Sequence, residues 1–188
     1  PDELVHRLAT MALDADTLSS VGLVGRYALA IVCRRSAALL LATDRMGSVP
    51  LYFAADEGKL AFATHADALI GQNEDETEGG VAPHRDLSTQ ALYDYVYFHV
   101  IPAPSAIYAG VTKLRAAECC RVDVAGTIAR RRHWEPVFLE TPTTSATAVH
   151  EEVRNTLRRA VARAADGAGN VGAFLSGGVD SSLLTALL

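Results

Sequence analysis

The residue pattern predicts a chain in two parts. The first is an α+β N-terminal layer of short antiparallel strands; the second is the start of an α/β domain built on a parallel sheet. Three observations predict this. Apolar runs alternate with turn residues at short spacing through residues 21–71. An apolar stripe of helical period runs through residues 147–166. An apolar run at 171–175 then opens directly into Ser176-Gly177-Gly178-Val179-Asp180-Ser181-Ser182, followed by the apolar residues Leu183 to Leu188.

In chain order, Val21–Cys33 and Ala37–Thr43 read as strands separated by Arg34-Arg35-Ser36. Asp44 to Pro50 turns into a further strand through Leu51-Tyr52-Phe53. Asp56-Glu57-Gly58-Lys59 is a turn before Leu60-Ala61-Phe62-Ala63, and a brief helix over 66–70 closes the block. Residues 72–86 are acidic and polar, the composition of a linker or loop. Ser88 starts a helix with Leu92, Tyr95, Val96 and His99 along one side, stopped by Ile101-Pro102-Ala103-Pro104. Ala117–Val124 and Thr127–Trp134 form a hairpin about Ala125-Gly126. A connection over 136–145 leads to the helix at 147–166, whose stripe is Val149, Val153, Leu157, Ala160, Val161 and Ala164. Glu151 and Glu152 near its start and Arg158, Arg159 and Arg163 towards its end suit the helix dipole.

Bulk properties exclude several classes. The chain has 188 residues, 49% hydrophobic and 21% charged, which is globular rather than disordered. A net charge of −5 gives no nucleic-acid footprint, and Arg130-Arg131-Arg132-His133 reads as a solvated strand end or a patch for an anionic partner. No run reaches membrane-spanning length and no basic-then-apolar signal segment opens the chain, so a cytoplasmic protein is expected. Three cysteines do not make a disulfide framework. Adjacent Cys119 and Cys120 should point to opposite faces of a strand. Pro1 at one end and Leu188 inside an apolar helix at the other are read as the ends of a piece of a longer protein.

The chemistry concentrates at 175–182. Gly177 and Gly178 can adopt backbone angles closed to other residues and let an anion approach the main chain. The first turn of the next helix offers unpaired N–H donors and a partial positive charge. Ser176, Ser181 and Ser182 add hydroxyls, and Asp180 suits a phosphate site when a divalent cation lies between them. As plain structure, the same residues make a helix cap, with Ser176 or Asp180 capping and the glycines turning.

This loop resembles the pyrophosphate loop of the ATP pyrophosphatase superfamily, Ser-Gly-Gly-aliphatic-Asp-Ser-Ser/Thr. It is not the commoner nucleotide loop, because no Gly-Lys-Ser/Thr follows. Asp44-Arg45-Met46-Gly47-Ser48-Val49-Pro50-Leu51-Tyr52 resembles a segment of class II glutamine amidotransferase domains, which have the Ntn-hydrolase fold. Phe62-Ala63-Thr64-His65-Ala66-Asp67-Ala68-Leu69 is similar to the segment that follows it there. Tyr97 to Pro104 and Ile107 to Leu114 resemble the junction between amidase and synthetase domains. The order of the pieces is that of the asparagine synthetase family. Each piece also has a plain reading: Gly47 and Pro50 as turn residues, and Arg45 as a brace hydrogen-bonded to the turn.

The resemblance implies a partial glutamine amidotransferase-like domain with linker over 1–86, and the start of an asparagine synthetase-like ATP-binding domain over 87–188. It implies ATP and Mg²⁺, and ligation in two steps: a carboxylate is adenylated with release of pyrophosphate, then amidated. Ser176, Gly177, Gly178, Val179, Ser181 and Ser182 would grip the phosphates, Leu175 would lie near the adenine, and Asp180 would hold Mg²⁺. The partners are small molecules: ATP, a carboxylate, and ammonia or glutamine. Neither nucleic acid nor membrane is expected, and a homodimer is left open.

Two departures bear on the nitrogen source. The family's amidase nucleophile is an N-terminal cysteine, and no catalytic residue of that kind is found here; Cys33 lies inside a strand. Within Leu23-Val24-Gly25-Arg26-Tyr27-Ala28-Leu29, Val24 stands where the family has the aspartate that holds the glutamine amine. Valine can neither accept a hydrogen bond nor pair with an ammonium. At the family's Ser-Glu position stand Thr64-His65, with His65 read as a surface histidine. Three readings follow: an asparagine synthase-like ligase, an intramolecular amide-forming synthetase of β-lactam or peptide-cyclising type, and an inactive fragment.

Overall fold

A computed structural model describes residues 18–19, 21–34, 36–56, 59–70, 85–138 and 145–188. The chain divides into two compact units, Pro1–Pro136 and Val137–Leu188.

The first unit is built on two antiparallel sheets. One orders its strands β1 (Ala28–Cys33), β2 (Ala38–Thr43), β6 (Glu118–Val122) and β7 (Ile128–Arg132) as β1-β2-β6-β7. The other orders β3 (Tyr52–Asp56), β4 (Lys59–Ala63) and β5 (Thr112–Lys113) as β4-β3-β5. The three hairpins β1–β2, β3–β4 and β6–β7 follow the local pattern of apolar runs and turns. Residues 21–27, expected as strand, are not; β1 begins only at Ala28.

Strand periodicity coats both faces of each sheet. Leu41, Cys120 and Val122 of the first sheet meet Phe53 of the second, with Leu51 and Leu114 closing the layer between them. The alternate residues Leu40, Ala42 and Cys119 face the other way, against Leu18, Val21 and Leu23. Cys119 and Cys120 thus lie on opposite faces, as the period of two requires. Tyr52, Ala61 and Ala63 on the far side of the second sheet pack with Leu69, Ala106 and Val111. Leu69 ends a short 3-10 helix, Ala66–Leu69, where the sequence predicts a brief helix.

The β2–β6 ladder pairs Leu39 with Val122 and Ala42 with Cys119. It ties residues 118–132 to the N-terminal layer, and the compact units divide after Pro136. The predicted linker falls mostly on 72–84, outside the described residues, as do most of the 136–145 connection and the centres of the turns at Arg35 and at 57–58.

Helix α1 (Thr89–Phe98) starts at Ser88, whose hydroxyl accepts from the Ala91 N–H at 3.3 Å, and stops at left-handed His99 (φ 58°). Its start is tied down by Ser88 N–H to Ile107 O (2.9 Å) and Ala109 N–H to Asp86 O (2.8 Å). Ala91 is the buried residue of this helix, whereas Leu92, Tyr95, Val96 and His99, expected along one side of it, are exposed.

In the second unit, Ser145 caps helix α2 (Ala146–Ala165) through Ala148 N–H, and α3 spans Val179–Leu187. Residues 171–175 are not a strand: they pair with nothing in a ladder among the described residues, and Phe174 is 99% exposed. A parallel strand needs neighbouring strands to complete its hydrogen bonds, and the described part of this unit supplies none.

Candidate functional site

The loop 176–182 lies at the start of α3. Gly177 takes φ +81°, in the left-handed region that glycine adopts without strain, and Gly178 is the helix N-cap. The bend folds Ser176 and Ser181 together, with their hydroxyl oxygens 2.9 Å apart. The Ser181 hydroxyl also donates to Gly178 O (3.1 Å), and the Gly178 N–H donates to the Ser176 hydroxyl (3.4 Å). A Cβ at Gly178 would lie in contact with Ser176 Oγ (3.4 Å) and Ser181 Oγ (3.9 Å); at Gly177 there is open space, and the constraint is φ alone.

Of the residues singled out, the structure brings Ser176, Gly178 and Ser181 together, while Leu175, Val179, Asp180 and Ser182 point into solvent. Asp180 lies in the first turn of α3, where a carboxylate complements the helix dipole. Among the described residues no three metal-ligating side chains cluster. A divalent cation here would take one carboxylate from the protein and most of its oxygens from phosphates and water, which is how Mg²⁺ is usually bound beside nucleotides. Behind the loop, an apolar groove of about 460 Å³ is lined by Val161 and Ala164 of α2, Val171, Ser181 and Leu184 of α3, and Leu188 just past its end.

In the 44–50 segment Gly47 is a turn residue, its N–H bonded to Asp44 O at 3.0 Å, as its plain reading has it. Asp44, not Arg45, braces the 44–50 turn. Its buried carboxylate accepts from the N–H groups of Met46 (2.9 Å), Ser48 (3.0 Å) and Tyr27 (3.1 Å), and from the Ser48 hydroxyl (3.2 Å). Burial alone would raise the Asp44 pKa, but the N–H donors of Ser48, Met46 and Tyr27 outweigh it and hold the carboxyl below its ordinary range. Gly47 (φ +63°) lets the turn pass Ala116, whose Cα would be 3.4 Å from an added Cβ. The Arg45 guanidinium lies over the Trp134 ring at 5.3 Å. The sequence signal for Asp44, an aspartate just ahead of a Gly-containing turn, was present but unspecific.

The triple arginine is likewise partly structural. Arg130 grips buried Glu118 with two donors (3.0 and 2.9 Å), Arg132 lies 3.5 Å from Glu135, and buried His133 donates from Nε2 to Thr43 O (2.8 Å). His65 is exposed and bonded to the Thr64 hydroxyl (3.0 Å), as expected of a surface histidine. Val24 is 81% exposed.

A family model described as glutamine amidotransferase domain matches residues 8–134, which covers both sheets and ends beside Trp134. The chain belongs to the glutamine amidotransferase domain family. A second model, asparagine synthase, matches residues 152–188 and includes the serine–glycine loop, so the family's arrangement here is that of asparagine synthetases. The antiparallel sheets with few helices fit an Ntn-type glutamine amidotransferase domain. A protein named as a glutamine-hydrolyzing asparagine synthetase in Mycobacterium tuberculosis is 29% identical over 168 residues, 87% of this chain and 25% of its own length. Asparagine synthetase [glutamine-hydrolyzing] 1 of Bacillus subtilis is 28% identical over 164 residues, 87% of this chain and 24% of its own length. The carboxyethyl-arginine beta-lactam-synthase of Streptomyces clavuligerus is 33% identical over 186 residues, 98% of this chain and 31% of its own length. The chain therefore spans about a quarter to a third of the length of these relatives. Among the described residues no helix is long and apolar enough to cross a membrane.

Proposed function

We propose that this chain forms part of an ATP-dependent ligase that adenylates a carboxylate, releases pyrophosphate, and joins the activated acid to an amine or ammonia. The reading rests above all on the bend at 176–182: a left-handed glycine, a glycine N-cap and two converging hydroxyls at the mouth of a helix, inside the segment matched to asparagine synthase. Bound ATP would supply the activated α-phosphorus. The chain's own part is to hold the departing diphosphate. Main-chain N–H groups of Gly177, Gly178 and Val179 and the hydroxyls of Ser176, Ser181 and Ser182 would donate to its oxygens. Asp180 would hold Mg²⁺ beside them, and Leu175 would lie near the adenine. Such catalysis is mainly positioning and charge stabilisation, in which losing one preorganised donor removes on the order of 10²–10³ in rate.

In the complete protein, Asp180→Ala should abolish ATP–pyrophosphate exchange and leave thermal unfolding unchanged, since the side chain is exposed. Exchange at the parental rate would remove Asp180 from the metal role.

A second reading shares the adenylation step and differs in the nitrogen donor. Valine at position 24, where the resembled amidases place an aspartate, and the 33% identity to a beta-lactam synthase favour a substrate that supplies its own amine. AMP formation that does not depend on glutamine or ammonia would decide for it; strict glutamine dependence would decide for the asparagine synthase-like reaction. An inactive chain would show no heat on titration of the complete protein with Mg-ATP.

A further inference from the structure

We propose that the outer face of β6 and β7 holds a small phosphate-bearing anion between Arg121 and Arg131. The strand period splits the arginine run of β7. Arg130 turns inward and forks onto Glu118, and Arg132 lies 3.5 Å from Glu135. Arg131 turns outward, opposite Cys119, which packs with Leu40 and Ala42 in the outer cluster. Arg121 stands opposite Ala129 and shares that face. The two arginines are thus diagonal neighbours across the ladder, their Cβ atoms about 7 Å apart. Cys119 and Ala129 occupy the other two corners, and their small side chains leave room for both guanidiniums to close on one spot.

Both arginines are exposed, and among the described residues neither has a carboxylate partner or a hydrogen bond. Asp123, two residues beyond Arg121, feels its charge but is bound into its own turn, where one carboxylate oxygen accepts from the N–H groups of Ala125 and Thr127 at 2.9 Å each. Arg34 adds a third positive charge at this end of the sheet: it follows Cys33, whose partner Ala38 lies two residues from Leu40, the partner of Arg121. Neighbouring like charges repel, and an oxyanion between them turns that repulsion into attraction. Planar guanidinium forks match pairs of phosphate oxygens.

The size of the ligand follows from the charge distribution. The chain as a whole carries −5, which disfavours a polyanion such as nucleic acid, whereas the reach of two side chains fits one or two phosphate groups. The loop at 176–182 plays no part in this site, so it stands or falls apart from the adenylation reading.

The test is modification of the complete protein with phenylglyoxal, read by mass spectrometry on the peptides carrying Arg121 and Arg131, at an ionic strength held constant with sodium chloride. Both residues should react when no phosphate is present. Inorganic phosphate, pyrophosphate or AMP should slow both several-fold with a shared midpoint, and leave exposed Arg26 unchanged. Tighter protection by the inorganic anions assigns a free phosphate as the ligand; tighter protection by AMP assigns a nucleotide. Arg121→Gln should remove the protection of Arg131, and Arg131→Gln that of Arg121. Arginines that fail to react without phosphate overturn the proposal, as does equal slowing at Arg26, which is screening alone. Protection of Arg131 that survives Arg121→Gln also overturns it. Absence of any protection does so too, and leaves the arginines as charges that blunt the exposed edge of β7.

Discussion

Removing the Asp44 carboxylate should unlock the turn that joins β2 to β3. Asp44 is 1% exposed and takes three backbone N–H bonds, from Tyr27, Met46 and Ser48, plus the Ser48 hydroxyl. Hydrogen bonds to a charged group contribute about 1.5–3 kcal/mol each, and a buried donor left unpaired costs about 1–3 kcal/mol. In Asp44→Ala, water can reach the N–H groups of exposed Met46 and Ser48, whereas that of Tyr27 is half-buried. The net loss should therefore be about 3 kcal/mol, well below the sum of the separate bonds. Asp44→Asn keeps the shape and one acceptor oxygen and should lose about 2 kcal/mol. The assay is urea unfolding followed by the fluorescence of Trp134, the chain's single tryptophan, which lies against Arg45 beside the turn. The pH dependence supplies an independent check. The folded carboxyl titrates below its ordinary value, so its stabilisation is fully present above about pH 4 and disappears as pH falls through the folded pKa. The gap between parent and Asp44→Asn should therefore close in acid. A gap that stays constant from neutral to acidic pH, or a loss for Asp44→Ala below about 1 kcal/mol, would refute the reasoning.

Glu118→Ala should destabilise the first unit by about 2–3 kcal/mol in the same urea assay, because it strands Arg130 and the Arg115 N–H that donates to the carboxylate at 2.7 Å; a neutral result would show that the fork is dispensable. Gly47→Ala should lose about 1–2 kcal/mol, since φ +63° is strained for a residue with a side chain; unchanged stability would mean the turn relaxes freely. Burial pushes the Cys120 thiol up to about 11. It should therefore resist Ellman's reagent near pH 8 until the protein unfolds, and rapid labelling of Cys120 in the native state would contradict that.

Much of the local structure was legible because its causes are local. Ser88 announces its helix by capping three residues ahead, whereas the equivalent cap at Ser145 was read as part of a connection. The β3–β4 and β6–β7 hairpins are bounded by turn residues a few positions apart. The serine–glycine bend needs only its own residues and the helix behind it to bring Ser176 to Ser181. Sequence order likewise sufficed to place an amidotransferase-like layer before a synthetase-like loop.

Pairing at a distance was decided only in three dimensions. The β2–β6 ladder joins residues some eighty positions apart, and no local signal near residue 118 says which strand it will meet. That pairing carries Trp134 back to Arg45. Conversely, the apolar character of Val171–Leu175 reads as a strand, but strand geometry depends on hydrogen-bond partners that an isolated strand–loop–helix stretch does not contain. Composition states what a segment would bury; only tertiary contact determines what it buries against.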